Sequence, residues 1–561
     1  MSAVASALTS RLSAASTAAF GIDLDPELRS ATKPEFGHYQ SNLALRLANQ
    51  LGLPPREVAA RLVAALELDD LCEPPAIAGP GFINLTVRST VLAAAINDRP
   101  AFAPRGERVV VDYSQPNVAK QMHVGHLRST VIGDSVCNVL QYVGYQVIRQ
   151  NHVGDWGTQY GMMIEQLLEE GLDADTLDLQ GLQELYERSR RHFDSDGDFA
   201  DLSRLRVVAL QTGDPATRAN WQHMVDVSLA DFEQVYARLG SALTRDDVVG
   251  ESAYNDDLPV IVAELEQDGL LTESDGASCA FLPGYVGRDG QPLPVIVRKS
   301  DGGFGYSATD LAAIRHRVKN LHAQRIVYVV DHRQALHFDM IFTLARAAGW
   351  LPPTTTAEHV SFGTVLGPGG KPFKTRAGGT VKLTTLLDEA VERADALLDD
   401  RTGIDRAATA VAVGIGAVKY ADLSSDRDND YVFDLDRMVA MTGNTGPYLQ
   451  YAHARLTRLL SNAGETPGAV TLLDHPIEQR LALLLTGFDD TVAQVAETLQ
   501  PHRLCTYLYE LAAALSVFYE QCPVLKSEGE TRASRIALCA ATRQVLQDGL
   551  GLLGIAAPDA M

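Results

Sequence analysis

Two stretches of this chain bring together residue types that handle phosphate. The first is His123-Val-Gly-His126. An apolar run, Arg108-Val-Val-Val-Asp-Tyr113, precedes it and predicts a buried strand. Apolar positions at 131/132, 135/136, 139/140 and 143 follow and predict a helix over 127–143 that Gly144 stops. Residues 145–149 then read as a second strand. Both histidines therefore sit at a helix mouth, where free N–H groups and partial positive charge suit a phosphate. Gly125 lets a bulky ligand approach the backbone. The two imidazoles can donate to phosphate oxygens that gain charge during reaction. The second stretch runs from Gly363 to Gly379, with six glycines in seventeen residues. Such a composition predicts a mobile loop. It carries Lys371, Lys374 and Arg376, a set suited to a transient clamp on a polyphosphate. From the residues alone, a solvated surface loop with ordinary lysines reads equally well.

The elements that must position these groups alternate. Arg325–Val330 and His359–Phe362 read as further strands, and Phe304–Asp310 enters a helix. Val295–Arg298 reads as the strand that reopens the sheet after an insertion. The alternation predicts a parallel sheet. Asn151–Gly157 is a glycine-punctuated turn beyond a strand's carboxyl end, where ligands bind in open α/β sheets. The fold class expected is α/β. A Rossmann-like parallel-sheet domain spans 101–380, with a largely helical insertion at about 160–290. An α/β unit precedes it at 1–100, a helical junction follows at 381–444, and an all-α bundle closes the chain at 445–561. The bundle is read from two apolar faces, Leu481 to Leu499 and Leu504 to Tyr519.

With 561 residues the chain is too long for one core. No apolar stretch approaches the roughly 20 residues of a membrane span, and the first sixteen residues lack a basic segment before an apolar core. The six cysteines are scattered, which suits a reducing, cytoplasmic setting and no structural zinc. No third ligand stands near the histidine pair, so no metal site is expected there. A net charge of −23 argues, as a bulk figure, against nucleic acid. A local basic track would suffice to grip a folded RNA, so composition leaves that point open.

HVGH resembles the HIGH signature of class I aminoacyl-tRNA synthetases, and Ser114–Thr130, SQPNVAKQMHVGHLRST, is similar to the arginyl branch of that family. Lys371-Pro-Phe-Lys-Thr375 resembles the family's KMSKS loop, departing at three of five positions while keeping both lysines. The resemblance implies ATP-dependent activation of L-arginine to its adenylate, then transfer to the terminal adenosine of tRNA(Arg). It implies Mg²⁺ carried on ATP, a cytoplasmic monomer, and no membrane partner. His123, His126, Lys120, Lys371 and Lys374 would do the chemistry, with Gly125 and Arg376 also on ATP. Tyr306, Asp310 and Gln334 match the family's arginine pocket in order and type, and Asp112 stands at the same strand ends. Gln115, Asn117 and His126 match positions that hold the α-amino and carboxylate groups. From the residues alone, Asp310 reads as readily as a helix N-cap, and Tyr306 as a core tyrosine. By the same resemblance Phe82 and Asn84 are candidate contacts to an unstacked base at the tRNA elbow; a core Phe and a strand-end Asn explain them equally well. Gly443–Arg455 resembles the entry to the anticodon-binding helices, with Tyr448, Tyr451 and Arg455 as base and phosphate contacts; helix core and surface explain those residues equally well.

Overall fold

A computed structural model describes residues 3–31, 33–371, 381–398 and 405–561. The chemistry-bearing centre is a four-stranded parallel sheet, ordered Thr356–Phe362, Arg325–Asp331, Arg108–Asp112, Gln146–Gln150. Its strands read as valine-rich runs because both faces are buried. Val109 and Val111 point into a core shared with Leu127 and Val131 of the helix Val124–Tyr142. Val110, Ile326 and Tyr328 point into a second core with the helices Tyr306–Lys319 and Ala335–Ala347. Crossovers leave the two central strands in opposite directions, so the cleft between Asp112 and Asp331 is a topological switch point.

The helix Val124–Tyr142 lies unusually close to its strand. A Cβ on Gly133 would enter the ring of Tyr113, whose hydroxyl donates to Asp134 at 2.7 Å.

The N-terminal unit is α/β, with four short antiparallel strands ordered Leu28–Ser30, Tyr39–Ser41, Phe82–Leu85, Ala76–Ala78. The inserted segment begins as helices, Thr158–Glu169 through Leu258–Gln267. It ends differently from the sequence expectation. Val295–Arg298 does not reopen the parallel sheet; it belongs to Pro292–Arg298, the last strand of a separate antiparallel meander with Thr272–Ser274 and Ala277–Val286. Val295 and Val297 are buried while Ile296 and Arg298 are exposed, the one-sided alternation of an antiparallel strand. Pro292 and Pro294 also lack the N–H a central parallel strand would need.

After the loop, the helices Leu383–Leu397 and Arg406–Leu423 pack on each other and on the helix Val124–Tyr142. A two-residue strand, Tyr431–Val432, interrupts the helical region by pairing with Val365–Leu366. The C-terminal five helices, from Gly446–Ala463 to Gly529–Leu552, form the bundle. Among the described residues no helix is long and apolar enough to cross a membrane.

Candidate functional site

Beyond the strand Arg108–Asp112 the backbone is strained. Ser114, Gln115 and Ala119 adopt φ of 73°, 50° and 62° without being glycine. Such residues cost on the order of 1–3 kcal/mol each and persist only where surrounding bonds fix them. Here the bonds are specific. Ser114 N–H donates to Ser129 Oγ at 2.8 Å, and Thr130 Oγ donates to Ser114 Oγ at 2.9 Å. Tyr236, from the inserted helix Pro215–Leu239, joins Ser114 Oγ at 2.8 Å and accepts from Asn151 Nδ2 at 2.9 Å. Asn151 Oδ1 accepts from Gln115 N–H at 3.0 Å, and Ser228 Oγ accepts from Ala119 N–H at 2.9 Å. This net presents Gln115, Asn117 and Lys120 beside the cleft. Asn117 is exposed and bridges to Gly154, where a Cβ would press on its side-chain oxygen at 2.5 Å.

His123 caps the following helix. Its Nδ1 accepts from Gly125 N–H at 3.0 Å, and His126 Nδ1 accepts from His123 N–H at 3.1 Å. The rings stack at 4.0 Å. An Nδ1 that accepts carries no proton, so each neutral ring keeps its proton on Nε2. Burial, then His123 and Lys120, push His126 down to about 3. Burial, then Lys120, lower His123 too. At neutral pH the pair therefore offers two uncharged Nε2–H donors. Gly125 has a role beside the one the sequence suggested. A Cβ there would lie 2.8 Å from the His123 ring, so the glycine also makes room for the histidine's own cap.

The exit of the glycine-rich stretch is pinned to this entry. Val124 N–H donates to Val381 O at 3.3 Å and Leu383 N–H to Met122 O at 3.0 Å. On the other side Val365–Leu366 pairs with Tyr431–Val432. Lys371 is exposed at the loop's start; Lys374 and Arg376 lie outside the described residues. Lys120 lies over the ring of Tyr186 at 4.3 Å, on the inserted helix Leu179–Ser195.

Acidic groups gather at the other wall. Asp310 is in the second turn of the helix Tyr306–Lys319, whose N-cap is Gly305, so it is not an N-cap. Its Oδ2 lies 2.6 Å from His337 Nε2. Tyr306, four residues earlier, is 73% exposed and so no core tyrosine; burial of its hydroxyl, then Glu251 and Tyr186, raise its pKa. Gln334 is exposed at the start of the helix Ala335–Ala347. Asp112 needs correction as a substrate contact. It is buried in an ion pair with Arg317 at 2.6 Å, and its other oxygen accepts from His152 N–H at 3.3 Å. Both oxygens serve the scaffold.

Sequence reasoning missed Glu251. It stands in an Asp/Glu-rich stretch that reads as solvent-facing, yet it is 7% exposed. Asp155 fixes it there, accepting from Ser252 N–H at 2.9 Å and Ser252 Oγ at 2.6 Å. Burial first, then the carboxylates of Asp155 and Asp310, push Glu251 up to about 8. A buried carboxyl beside two others is a site short of a cation.

The proposed RNA contacts divide. Tyr451 is exposed, and Arg455 stacks on Tyr519 at 3.5 Å. Tyr448 is half-buried against Tyr509. Gln450 and His453 on the same helix point inward, to Ala412 O and Ala556 O and to Pro558 O respectively. In the N-terminal sheet Phe82 is half-buried, but Asn84 is buried and accepts from Gln40 Nε2 at 2.8 Å. Gln40 rather than Asn84 carries that polar position toward the surface.

Comparison with known proteins gives matches along the whole chain. The family described as tRNA synthetases class I (R), catalytic domain, matches residues 90–435. The arginyl tRNA synthetase N terminal domain matches 2–87 and the DALR anticodon binding domain 449–561. An arginine–tRNA ligase of Cutibacterium acnes is 55% identical, covering 99% of this chain and all of the relative. The chain belongs to the arginyl-tRNA synthetase family. A second family member, the arginine–tRNA ligase of Thermobifida fusca, is 49% identical over 99% of both chains. The fold agrees with the arginyl-tRNA synthetase structures of Plasmodium falciparum (TM-score 0.84, 27% identity, all of both chains) and Thermus thermophilus (TM-score 0.83, 26%, 99% of this chain and all of that one).

Proposed function

We propose a division of labour for a synthetase whose reaction is ATP-dependent charging of tRNA with arginine. The arginine guanidinium occupies the wall formed by Glu251, Tyr306, Asp310 and Gln334. Five N–H donors in a planar fork match carboxylate, phenol and amide acceptors. Gln115 and Asn117, with His126, take the α-amino and carboxylate groups. The arginine carboxylate attacks the α-phosphorus of ATP, forming the adenylate and releasing pyrophosphate. The Nε2–H groups of His123 and His126 donate to phosphate oxygens as charge builds there. No protein nucleophile takes part; catalysis is placement plus charge stabilisation. Lys120, Lys371 and Lys374, with Arg376, neutralise the departing pyrophosphate. A ribose hydroxyl of the terminal adenosine then attacks the adenylate carbonyl, and AMP leaves.

Mg²⁺ arrives on phosphate oxygens and water. Among the described residues, no group of three or more His, Cys, Asp or Glu could hold a metal. The tRNA partner spans Phe82 and Gln40 on the N-terminal unit and Tyr448, Tyr451 and Arg455 on the bundle. The working units are 1–100, 101–380, 381–444 and 445–561. The enzyme works in the cytoplasm as a monomer.

The observation that carries the reading is the coincidence of two neutral imidazole donors with a cation-short carboxyl cluster across one switch-point cleft. ATP–pyrophosphate exchange across the amino acids, with and without tRNA, tests it. Exchange driven by arginine alone among the amino acids supports the reading; exchange driven by another amino acid overturns it.

A further inference from the structure

We propose that His337 is a positioning residue of the amino-acid pocket and makes arginine affinity depend on pH. It holds one oxygen of Asp310 and leaves the other to the guanidinium; when its ring takes a second proton, it withdraws Asp310 from the substrate. The inference rests on the reading of Asp310 as a guanidinium acceptor.

The geometry is close and supported. His337 Nε2 lies 2.6 Å from Asp310 Oδ2, with the two side chains 28% and 15% exposed. The residues belong to neighbouring packed helices, Ala335–Ala347 and Tyr306–Lys319. The imidazole meets the ring of Phe338 edge-on at 5.4 Å, and Phe338 is itself packed against Tyr328, Phe342 and His359. The ring is thus backed by a rigid aromatic group. A carboxylate only accepts, so Nε2 carries the proton in this pair and the state of Nδ1 sets the charge.

Most neighbouring charges are already matched among the described residues, while Lys299 lies beside Gly305 at the start of Asp310's helix. On the helix of Asp310, Arg315 pairs with Glu264 and Asp257, and Arg317 with Asp112. At the end of the adjoining strand Arg333 pairs with Asp331. His332 binds Phe362 O and His359 binds Val330 O. On the meander Tyr285 donates to Asp339. Glu251 adds only negative potential at Asp310. His337 is therefore the cation-forming group placed on Asp310. While it is neutral, the pair keeps the full carboxylate charge for the guanidinium. As an imidazolium it neutralises that charge and repels a second cation at short range.

The test measures KM for arginine and kcat in the tRNA-charging reaction from about pH 5.5 to 8.5 for the wild type, His337→Gln, His337→Ala and Asp310→Asn. Glutamine keeps an N–H donor but takes no proton. Wild-type KM for arginine is expected to rise as pH falls, more steeply than the limb of up to about tenfold per unit that Glu251 alone sets, with kcat following a separate profile. His337→Gln should lose that added steepness and keep only the Glu251 limb, with a near-wild-type KM at pH 8. His337→Ala should raise KM across the range, and glutamine should rescue it. Retention of the full acid limb in a folded His337→Gln enzyme overturns the proposal. Asp310→Asn separates the two layers. An unchanged arginine KM in that variant overturns the guanidinium reading itself, whereas a raised KM beside an unaltered His337→Gln profile overturns only the role of His337.

Discussion

Arginine binding should release a proton from Glu251, and the size of the effect follows from the pocket. Burial beside two carboxylates holds this group at about 8, so at pH 7 it is mostly protonated. A guanidinium seated against it requires the ionised form. Ionising it at pH 7 weakens binding by roughly elevenfold, about 1.4 kcal/mol, relative to high pH. Affinity should therefore climb nearly tenfold per unit below pH 8 and flatten above it. Calorimetric titration of arginine in buffers of different ionisation heat should show close to one proton leaving per site at pH 7. Glu251→Gln should bind arginine more weakly, by about 2–5 kcal/mol for a desolvated partner, and lose the pH dependence near 8. The same substitution should stabilise the fold. Folding raises Glu251 from the ordinary carboxyl range to about 8. The associated stability is complete below the unfolded value and is lost as pH rises through the folded one. At pH 7 the penalty is on the order of 3 kcal/mol. A higher Tm for Glu251→Gln at pH 8, with the gap closing toward pH 5, is the expected scan. Arginine affinity that stays flat from pH 6.5 to 8.5, together with a Glu251→Gln enzyme that binds as tightly as wild type, would refute the argument.

Other outcomes follow from the same geometry. His126→Ala should slow pyrophosphate exchange by about 10²–10³ at saturating arginine, and exchange in the wild type should show no inflection from His126 between pH 6 and 8, because burial and its neighbours hold it near 3. Gly125→Ala should act on His123 at a distance, lowering the exchange rate while arginine affinity holds; equal effects on both would point to a collapsed cleft instead. Tyr236→Phe strands Asn151 and loosens the strained Ser114–Ala119 turn, costing about 1–3 kcal/mol in denaturant melts. Asp422→Asn should leave Arg128 a buried uncompensated charge, lowering stability by about 3–5 kcal/mol and slowing exchange with tRNA present. Exchange without tRNA should be negligible in the wild type.

The strands and helices of the cleft were legible because they are periodic and doubly buried. The helix read over 127–143 and the strand Arg325–Val330 needed only apolar spacing to be seen, and the histidine motif needed only its place after a valine-rich strand. The meander at 272–298 was misread because Val295-Ile-Val looks the same in either sheet type; only its one-sided burial, visible in three dimensions, distinguishes them. Asp112 and Glu251 fail in opposite directions for a single reason. Sequence reveals that a carboxylate exists but not what faces it. Arg317 comes from 205 residues away to consume Asp112, while the charges that bear most on Glu251 among the described residues are the carboxylates of Asp155 and Asp310. The acid that seemed placed for substrate is scaffold, and the acid that seemed solvated is the open valence.

The same long-range pairing explains how RNA held far from the cleft can reach the chemistry. Arg128 stands two residues beyond His126 and is 1% exposed, paired with Asp422 at 3.3 Å and bonded to Asn429 O at 3.0 Å. Asp422 lies on the helix Arg406–Leu423, which also sends Tyr420 to Asn444 at 2.6 Å and to Cys505 O at 3.0 Å in the bundle. Gly416 of that helix sits against Gln450 so closely that a Cβ would lie 2.7 Å from its amide nitrogen. A buried pair cannot slide, because separating it strands a charge in low dielectric at a cost of several kcal/mol. A shift of the bundle is therefore passed to the histidine helix as a displacement rather than absorbed at the interface. The glycine-rich loop's exit is hydrogen-bonded to Met122 and Val124, so the same displacement moves the loop's anchor together with the phosphate donors.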